Sequence, residues 1–322
     1  MKNLITGGAG FIGSHLAEYL IKAGEKVSII DNLSTGNMNN IKNLKNNSRF
    51  KYYIDTIMNE KLMRRLIKDC DVIYHLAAAV GVKYIIDNPL DSIQTNVRGT
   101  EIVLDLANTY GKKKIVLAST SEIYGKDRAN HKVFEENDDR VLGSTYITRW
   151  SYSSTKALDE FLALAYYREK KLPVVIARFF NTIGPRQAGR YGMVVPRFVK
   201  QALLNQPITV YGDGRQSRCF TYISDAVKAI VLLARCKGAV GEIFNIGSTS
   251  NILIVELARK IKKMINSKSK IIFVPYEKAY EKGFEDMRHR IPNINKLKHY
   301  IGFKPEVPLD EMLKKIIEAF EK

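Results

Sequence analysis

Two groups of residues have types and spacing suited to chemistry: a tyrosine followed four positions later by a lysine, and a run of glycines near the N-terminus. Tyr152 and Lys156 stand in the stretch YSSTK, which opens a segment with helical periodicity, and residues four apart on a helix share a face. A lysine ammonium beside a phenol favours the phenolate, drawing the tyrosine pKa down from its usual value of about 10 toward working pH. Tyr152 would then act as a general base, with Lys156 alongside. The stretch ASTSEIYG adds Thr120, placed to hydrogen-bond a substrate hydroxyl, with Ser121 and Glu122 pointing into the same cleft. These five residues are the expected catalytic group. Together with the glycine run, they describe removal of a proton from an alcohol while hydride leaves its carbon.

The glycine run is Gly7-Gly8-Ala9-Gly10-Phe11-Ile12-Gly13. It lies between a strand-like and a helix-like segment, where glycines permit a tight turn and close approach to a pyrophosphate at the helix N-terminus. Asp31 ends the second strand-like run, in the position of a carboxylate that takes ribose hydroxyls. It would repel a 2′-phosphate, and no arginine follows in Asn32-Leu33-Ser34-Thr35-Gly36, so NAD is expected rather than NADP. The expected cofactor contacts begin with Gly7, Gly10, Phe11, Ile12, Gly13, Asp31, Asn32, Ser34 and Gly36. They continue with Asp55 and Thr56 after an apolar run, with Leu76, Ala77 and Ala78 after His75, and with Asn96, Tyr152 and Lys156. His75 itself reads as a packed strand residue.

The elements that must position these groups are short apolar runs alternating with helical patterns over the first 180 residues: Leu4–Thr6, Val27–Ile30, Val72–Leu76, Ile115–Ala118 and Val174–Phe179. Strands of this kind are covered on both faces, which predicts an α/β, doubly wound parallel sheet of Rossmann type. Beyond Asn181 the pattern loosens around Pro185, Pro196, Pro207 and Gly212-Asp213-Gly214, with later helices over Leu253–Ile265 and from about Leu309. The expected organisation is a nucleotide-binding domain of residues 1–180 with about 215–247, and a smaller, discontinuous substrate lobe of about 181–214 with 248–322.

Bulk composition agrees with an enzyme. The 322 residues are 45% hydrophobic and 26% charged, ordinary for a globular protein. No run approaches the roughly 20 apolar residues of a membrane span, and the first residues already read as a strand, so a cytoplasmic protein is expected. Cys70, Cys219 and Cys236 have no paired spacing and read as reduced structural thiols. The five histidines show no ligand spacing with them, and no metal is expected. The 51 basic and 33 acidic side chains leave a formal charge of +18. Because the lysines are dispersed along the chain, this reads as a solvated basic surface that gathers anionic substrates, rather than a nucleic-acid face. A non-catalytic scaffold binding NAD or RNA has only this charge to support it.

The chain resembles, end to end, the extended short-chain dehydrogenase/reductases of the nucleotide-sugar epimerase, dehydratase and decarboxylase group. The resemblance is carried by GGAGFIGSH, DNLSTG, HLAA, STSEIYG, YSSTK, RFFNTIGPRQ, PRFVKQAL, ITVYGDGRQSRCFTYISD and EIFNIGS. It implies a UDP-sugar substrate held by Asn181, Arg218, Arg290, Lys83 and Thr120, and a homodimer formed by two helices. The excess apolar residues Ile102, Val103, Leu106, Leu158, Phe161 and Leu162 fit that pairing. It further implies oxidation at the sugar C4, with branches that differ afterwards. Return of hydride to the other face gives a 4-epimerase, loss of a C6 carboxylate gives a decarboxylase, and proton removal at C5 by Glu122 with loss of water gives a 4,6-dehydratase.

Glu122 resembles the decarboxylases and some dehydratases of the group, and Arg290 the uronate decarboxylases, whereas RWSYSSTK, GRYGMVVPRF and GFEDMRHRIP resemble UDP-sugar 4-epimerases, some acting on uronates. Ser121 stands where dehydratases usually carry an aspartic acid, and a serine is a poor proton donor. The sequence reading therefore leans to 4-epimerase on a UDP-hexose or UDP-glucuronate, with UDP-glucuronate decarboxylase next and dehydratase last.

Overall fold

A computed structural model of the chain describes residues 1–126, 133–189, 193–279 and 287–321, the side chains of Val82 and Lys83 excepted. Its centre is a seven-stranded parallel sheet of β1 (Lys2–Thr6), β2 (Lys26–Asp31), β3 (Phe50–Ile54), β4 (Val72–His75), β5 (Lys114–Thr120), β6 (Val174–Phe179) and β7 (Ile243–Ile246). Their spatial order is β7-β6-β5-β4-β1-β2-β3. Alternate residues of one strand enter different cores. Leu4, Ile73, Ile115, Leu117 and Ile176 pack on one face, and Ile5, Tyr74, Val116 and Val175 on the other. That is why the strands read as continuous apolar runs.

The first face is covered by α2 (Glu60–Lys68), α4 (Pro89–Thr109) and α5 (Arg149–Lys170), with the one-and-a-half-turn α3 (Val82–Asp87) leading into α4. The second is covered by α1 (Phe11–Lys22) and α7 (Ile223–Arg235), separated in sequence by α5 and by α6 (Val194–Leu203). All five expected strands are present. The two that the sequence reading did not count are β3, an edge strand with mixed exposure, and β7, which comes more than 60 residues after β6 and joins it by tertiary pairing. Helix α5 begins at Arg149, three residues before Tyr152.

Beyond the sheet, in the region expected to form the small lobe, lie α6 and α8 (Ile254–Ile265) and a parallel pair of Ile208–Tyr211 with Ile271–Val274; Ser217–Cys219, expected with the nucleotide-binding part, pairs antiparallel with Asn251–Leu253 on this side. The helix Asn295–Ile301 returns to β7 and α7, where the rings of Phe244 and Tyr300 meet edge to face at 5.0 Å. The final helix spans Leu309–Phe320 and buries Met312, Leu313, Ile316 and Ile317 in the common core.

The apolar residues expected to be surplus divide sharply. Ile102, Val103 and Leu106 are buried within the monomer, under the sheet, so they are not available to a partner; Leu162 is half-buried. Leu158 and Phe161 on α5 are exposed, at 44% and 64%, as are Leu90 and Ile93 on α4, at 67% and 41%. The thiols of Cys70 and Cys219 are buried, and burial pushes both up to about 12. Among the described residues no group of side chains could hold a metal ion, and no helix is long and apolar enough to cross a membrane.

Candidate active site

The sheet order reverses at β1, whose neighbours β2 and β4 leave in opposite directions, and a crevice opens beyond the carboxyl ends of such strands. Here it is a cleft of about 500 Å³, lined on one side by the Gly7–Gly13 turn and on the other by the small lobe. The turn is tight for a physical reason. Gly7 has φ +70°, and a Cβ on Gly13 would lie 2.2 Å from the Gly7 carbonyl oxygen. Gly10 opens α1 without a side-chain cap, leaving backbone N–H groups of the first turn directed at the cleft.

Asp31 closes the far end of this half. Its Oδ2 accepts the Ala9 N–H at 2.9 Å and its Oδ1 the Leu33 N–H at 2.8 Å. Burial pushes its carboxyl up, opposed by the backbone donors of Leu33, Ala9 and Gly10. Gly36 does not line the cleft. It lies behind Asp31, and a Cβ there would come within 2.7 Å of that carboxylate. Asn96 is likewise one step removed: buried, it accepts the Ala79 N–H at 2.9 Å and donates to the Thr155 hydroxyl at 3.3 Å, tying the β4 loop to α5. The other expected cofactor contacts, Gly7, Gly10, Phe11, Ile12, Gly13, Asn32, Ser34, Asp55, Thr56, Leu76, Ala77 and Ala78, all line the cleft. The glycine cradle, the ribose-directed carboxylate and the small Ala77-Ala78 wall fit a dinucleotide.

His75 is a packed residue, as expected. Its ring lies between the hydroxyls of Thr6, 2.8 Å from Nδ1, and Thr100, 3.2 Å from Nε2. Burial, followed by the charge of Lys156, lowers it to about 3, so it is neutral at working pH.

Thr120, Ser121, Glu122, Tyr152 and Lys156 meet where β5 ends and α5 begins. The Thr120 hydroxyl accepts the Glu122 N–H at 3.2 Å and hydrogen-bonds the Tyr152 phenol. In one respect the site differs from the sequence expectation. In the protein alone the Tyr152 phenol is pushed up rather than down, first by burial, then by the negative charges of Glu122 and Asp159, with only Thr120 acting in the lowering direction. The Lys156 ammonium is engaged elsewhere: Nζ donates to Asp159 Oδ2 at 2.7 Å, and both side chains are almost fully buried.

Glu122 is clamped between two guanidiniums. Arg149 Nη2 donates to its Oε2 at 3.1 Å and Arg290 Nη2 to its Oε1 at 2.5 Å. Burial disfavours the charged carboxylate, but Arg290 and then Arg149 outweigh it and hold Glu122 down at about 2. A carboxylate so stabilised is a weak base, which argues against proton abstraction at C5. Sequence reasoning missed Arg149, although it stands three residues before Tyr152 on the same helix, and such a spacing places both on one face.

On the small-lobe side, Arg218 lines the cleft and its Nη1 donates to the carbonyls of Ser217 and Met287 at 2.8 and 2.9 Å. Asn181 also lines it, its amide donating to the Cys219 carbonyl at 3.1 Å. Arg290 reaches the cleft from this side too, although its nearest anion is Glu122. The Lys83 side chain lies outside the described residues, as do residues 190–192 and 280–286, which hold parts of GRYGMVVPRF and GFEDMRHRIP.

A profile for the family described as GDP-mannose 4,6 dehydratase matches residues 4–316. The chain belongs to this family of extended short-chain dehydrogenase/reductases. It is 45% identical to the UDP-N-acetyl-alpha-D-glucosaminuronate decarboxylase of Bacillus cytotoxicus, over 98% of this chain and 97% of that one. It is 37% identical to UDP-glucuronic acid decarboxylase 1 of Xenopus tropicalis, over 99% of this chain and 72% of that one. Among solved structures, the UDP-glucuronic acid 4-epimerase of Bacillus cereus, in complex with UDP-glucuronic acid and NAD, superposes with a TM-score of 0.89. That match has 30% identity and covers 100% of this chain and 99% of that one.

Proposed function

We propose that the protein is an NAD-dependent UDP-hexuronate decarboxylase. The observation that carries this reading is the 45% identity, across almost all of both chains, to a decarboxylase whose substrate is a UDP-N-acetylhexuronate. It reverses the lean toward epimerase drawn from the sequence. NAD held by the Gly7–Gly13 turn and Asp31 supplies, when bound, a hydride acceptor for the sugar C4 and a positive charge that favours the phenolate. Tyr152 takes the 4-hydroxyl proton and Thr120 orients that hydroxyl. The resulting 4-ketone is β to the C6 carboxylate, so the C5–C6 electron pair passes toward the carbonyl as carbon dioxide leaves. A proton from solvent takes the place of the lost carboxyl at C5, and Tyr152 returns its proton to the C4 oxygen; the reduced cofactor would supply the hydride that restores C4, completing a UDP-pentose. Glu122 is already ionised, so it does not supply the C5 proton. With Arg149 and Arg290 it fixes the charge pattern beside C6, while Arg218 and Asn181 hold the diphosphate.

A 4-epimerase acting on UDP-glucuronate is the second reading, favoured by the fold match to the Bacillus cereus enzyme. Incubation with UDP-N-acetylglucosaminuronate, UDP-glucuronate and UDP-glucose in turn, with products identified by proton NMR, separates the two. A pentose with release of carbon dioxide is expected; an axial 4-hydroxyl without loss of mass overturns the decarboxylase reading. The exposed Leu158 and Phe161 on α5, packed beside α4 with its exposed Leu90 and Ile93, support a homodimer.

A further inference from the structure

We propose that Asp159 is a positioning residue for the oxidation at C4: its buried carboxylate anchors the Lys156 ammonium, 2.7 Å away, and thereby fixes where that charge sits relative to the Tyr152 phenol. Tyr152, Lys156 and Asp159 are spaced four and three apart on α5, so all three lie along one face of the helix. Asp159 is fully buried and Lys156 is 2% exposed. Burial pushes the Asp159 carboxyl up, opposed by the charge and hydrogen bond of Lys156 and by Thr100 on α4, and Oδ1 has no hydrogen-bond partner among the described residues. A dry ion pair with an under-satisfied oxygen is a poor device for stability, because desolvation of both charges opposes their attraction. Its lysine lies one turn from Tyr152 on the same face and its carboxylate about two turns away, which gives the pair a different use.

The groups facing this pair are few and can be assigned. His75 on β4 is neutral and reaches Thr100 rather than the lysine. Glu160, the next residue on α5, is held by Arg178 of β6 through two hydrogen bonds of 2.9 and 2.7 Å and by the Ser119 hydroxyl of β5. Glu122, after β5, is held by Arg149 and Arg290. Each remaining carboxylate therefore has its own arginine, and Asp159 is the counter-ion of Lys156. Asp159 also acts on Tyr152 directly, since its negative charge opposes the phenolate. The carboxylate thus has two effects: it keeps a cation at the site, and it restrains how far that cation lowers the phenol.

This inference rests on the tyrosine-dependent oxidation within the proposed function, and it is the same for decarboxylase and epimerase. The test is a spectrophotometric titration of the Tyr152 phenolate in the NAD-loaded protein, taken as the difference from Tyr152→Phe to remove the other tyrosines. In Asp159→Asn, which keeps shape and removes charge, the Tyr152 midpoint is expected to fall by about one pH unit, a tenfold gain in ionisation. The acid limb of kcat against pH should move the same way. An unchanged midpoint overturns the proposal, whereas a raised one reports loss of the anchored cation and bears it out; lower activity with an unmoved pH profile assigns Asp159 a merely structural role.

Should the asparagine variant fail to fold, spectra of lysine labelled at Nζ with nitrogen-15 in the wild-type holoenzyme, assigned by Lys156→Arg, decide the question. A slowly exchanging Nζ signal for Lys156 is expected, and one that exchanges with solvent as fast as those of the surface lysines overturns the anchoring. These readouts need bound NAD but no turnover, so they stand if no hexuronate is converted. Failure to form a pentose, with the titration as expected, counts against the decarboxylase reading alone.

Discussion

Replacing Glu122 by glutamine removes the negative charge from between two buried guanidiniums while keeping the side chain's shape. Arg149 and Arg290 have side chains only 5% and 8% exposed, and Glu122 is 20% exposed, so solvent screens the three charges weakly. The arginines bring the Glu122 carboxyl from an ordinary 4.5 to about 2. At about 1.4 kcal/mol per pH unit, that difference stabilises the folded state by on the order of 3 kcal/mol when the group is ionised. Because the folded value lies below the unfolded one, the contribution is complete above the unfolded value and fades as pH falls toward the folded value. Urea unfolding of wild type and Glu122→Gln should therefore differ by about 3 kcal/mol at pH 7, and by roughly half that at pH 3. Equal stabilities at pH 7, or a gap that stays constant down to pH 3, would refute the clamp as the origin of the low carboxyl value.

Tyr152→Phe should reduce the rate at which a UDP-hexuronate reduces bound NAD by about 10²- to 10⁴-fold, read by absorbance in a single turnover, while NAD affinity stays near wild type. Asp31→Ala leaves the Ala9 and Leu33 N–H groups without their carboxylate; a loss of about 1–3 kcal/mol, divided between stability and NAD binding, should appear in calorimetry. Phe161→Glu places a charge on the exposed apolar face of α5; if that face pairs two copies as proposed, light scattering at micromolar concentration should report a dimer for the wild type and a monomer for the variant.

The sequence by itself was enough for five of the seven strands of the sheet, for the glycine turn with Asp31 at the end of β2, and for the shared helix face of Tyr152 and Lys156. These depend on local rules: short apolar runs, a glycine turn that admits no side chain, and helical spacing that places Tyr152 and Lys156 on one face. The charge state of the site was decided by tertiary structure. Lys156 lowers a neighbouring phenol in a local reading, yet folding buries the pair and sets Asp159 and Glu122 close enough to push the phenol the other way. Glu122 and Arg290 are 168 residues apart and touch because Ile291–Pro292 pairs with Val133–Phe134, which brings the neighbouring Arg290 to the cleft. Likewise, Ile102 and Phe161 are equally apolar in the sequence, and only the packing of α4 and α5 on the sheet buries one and exposes the other. Spacing along the chain fixes which side chains share a helix face, but electrostatics depends on distance and burial in space, which no local pattern encodes.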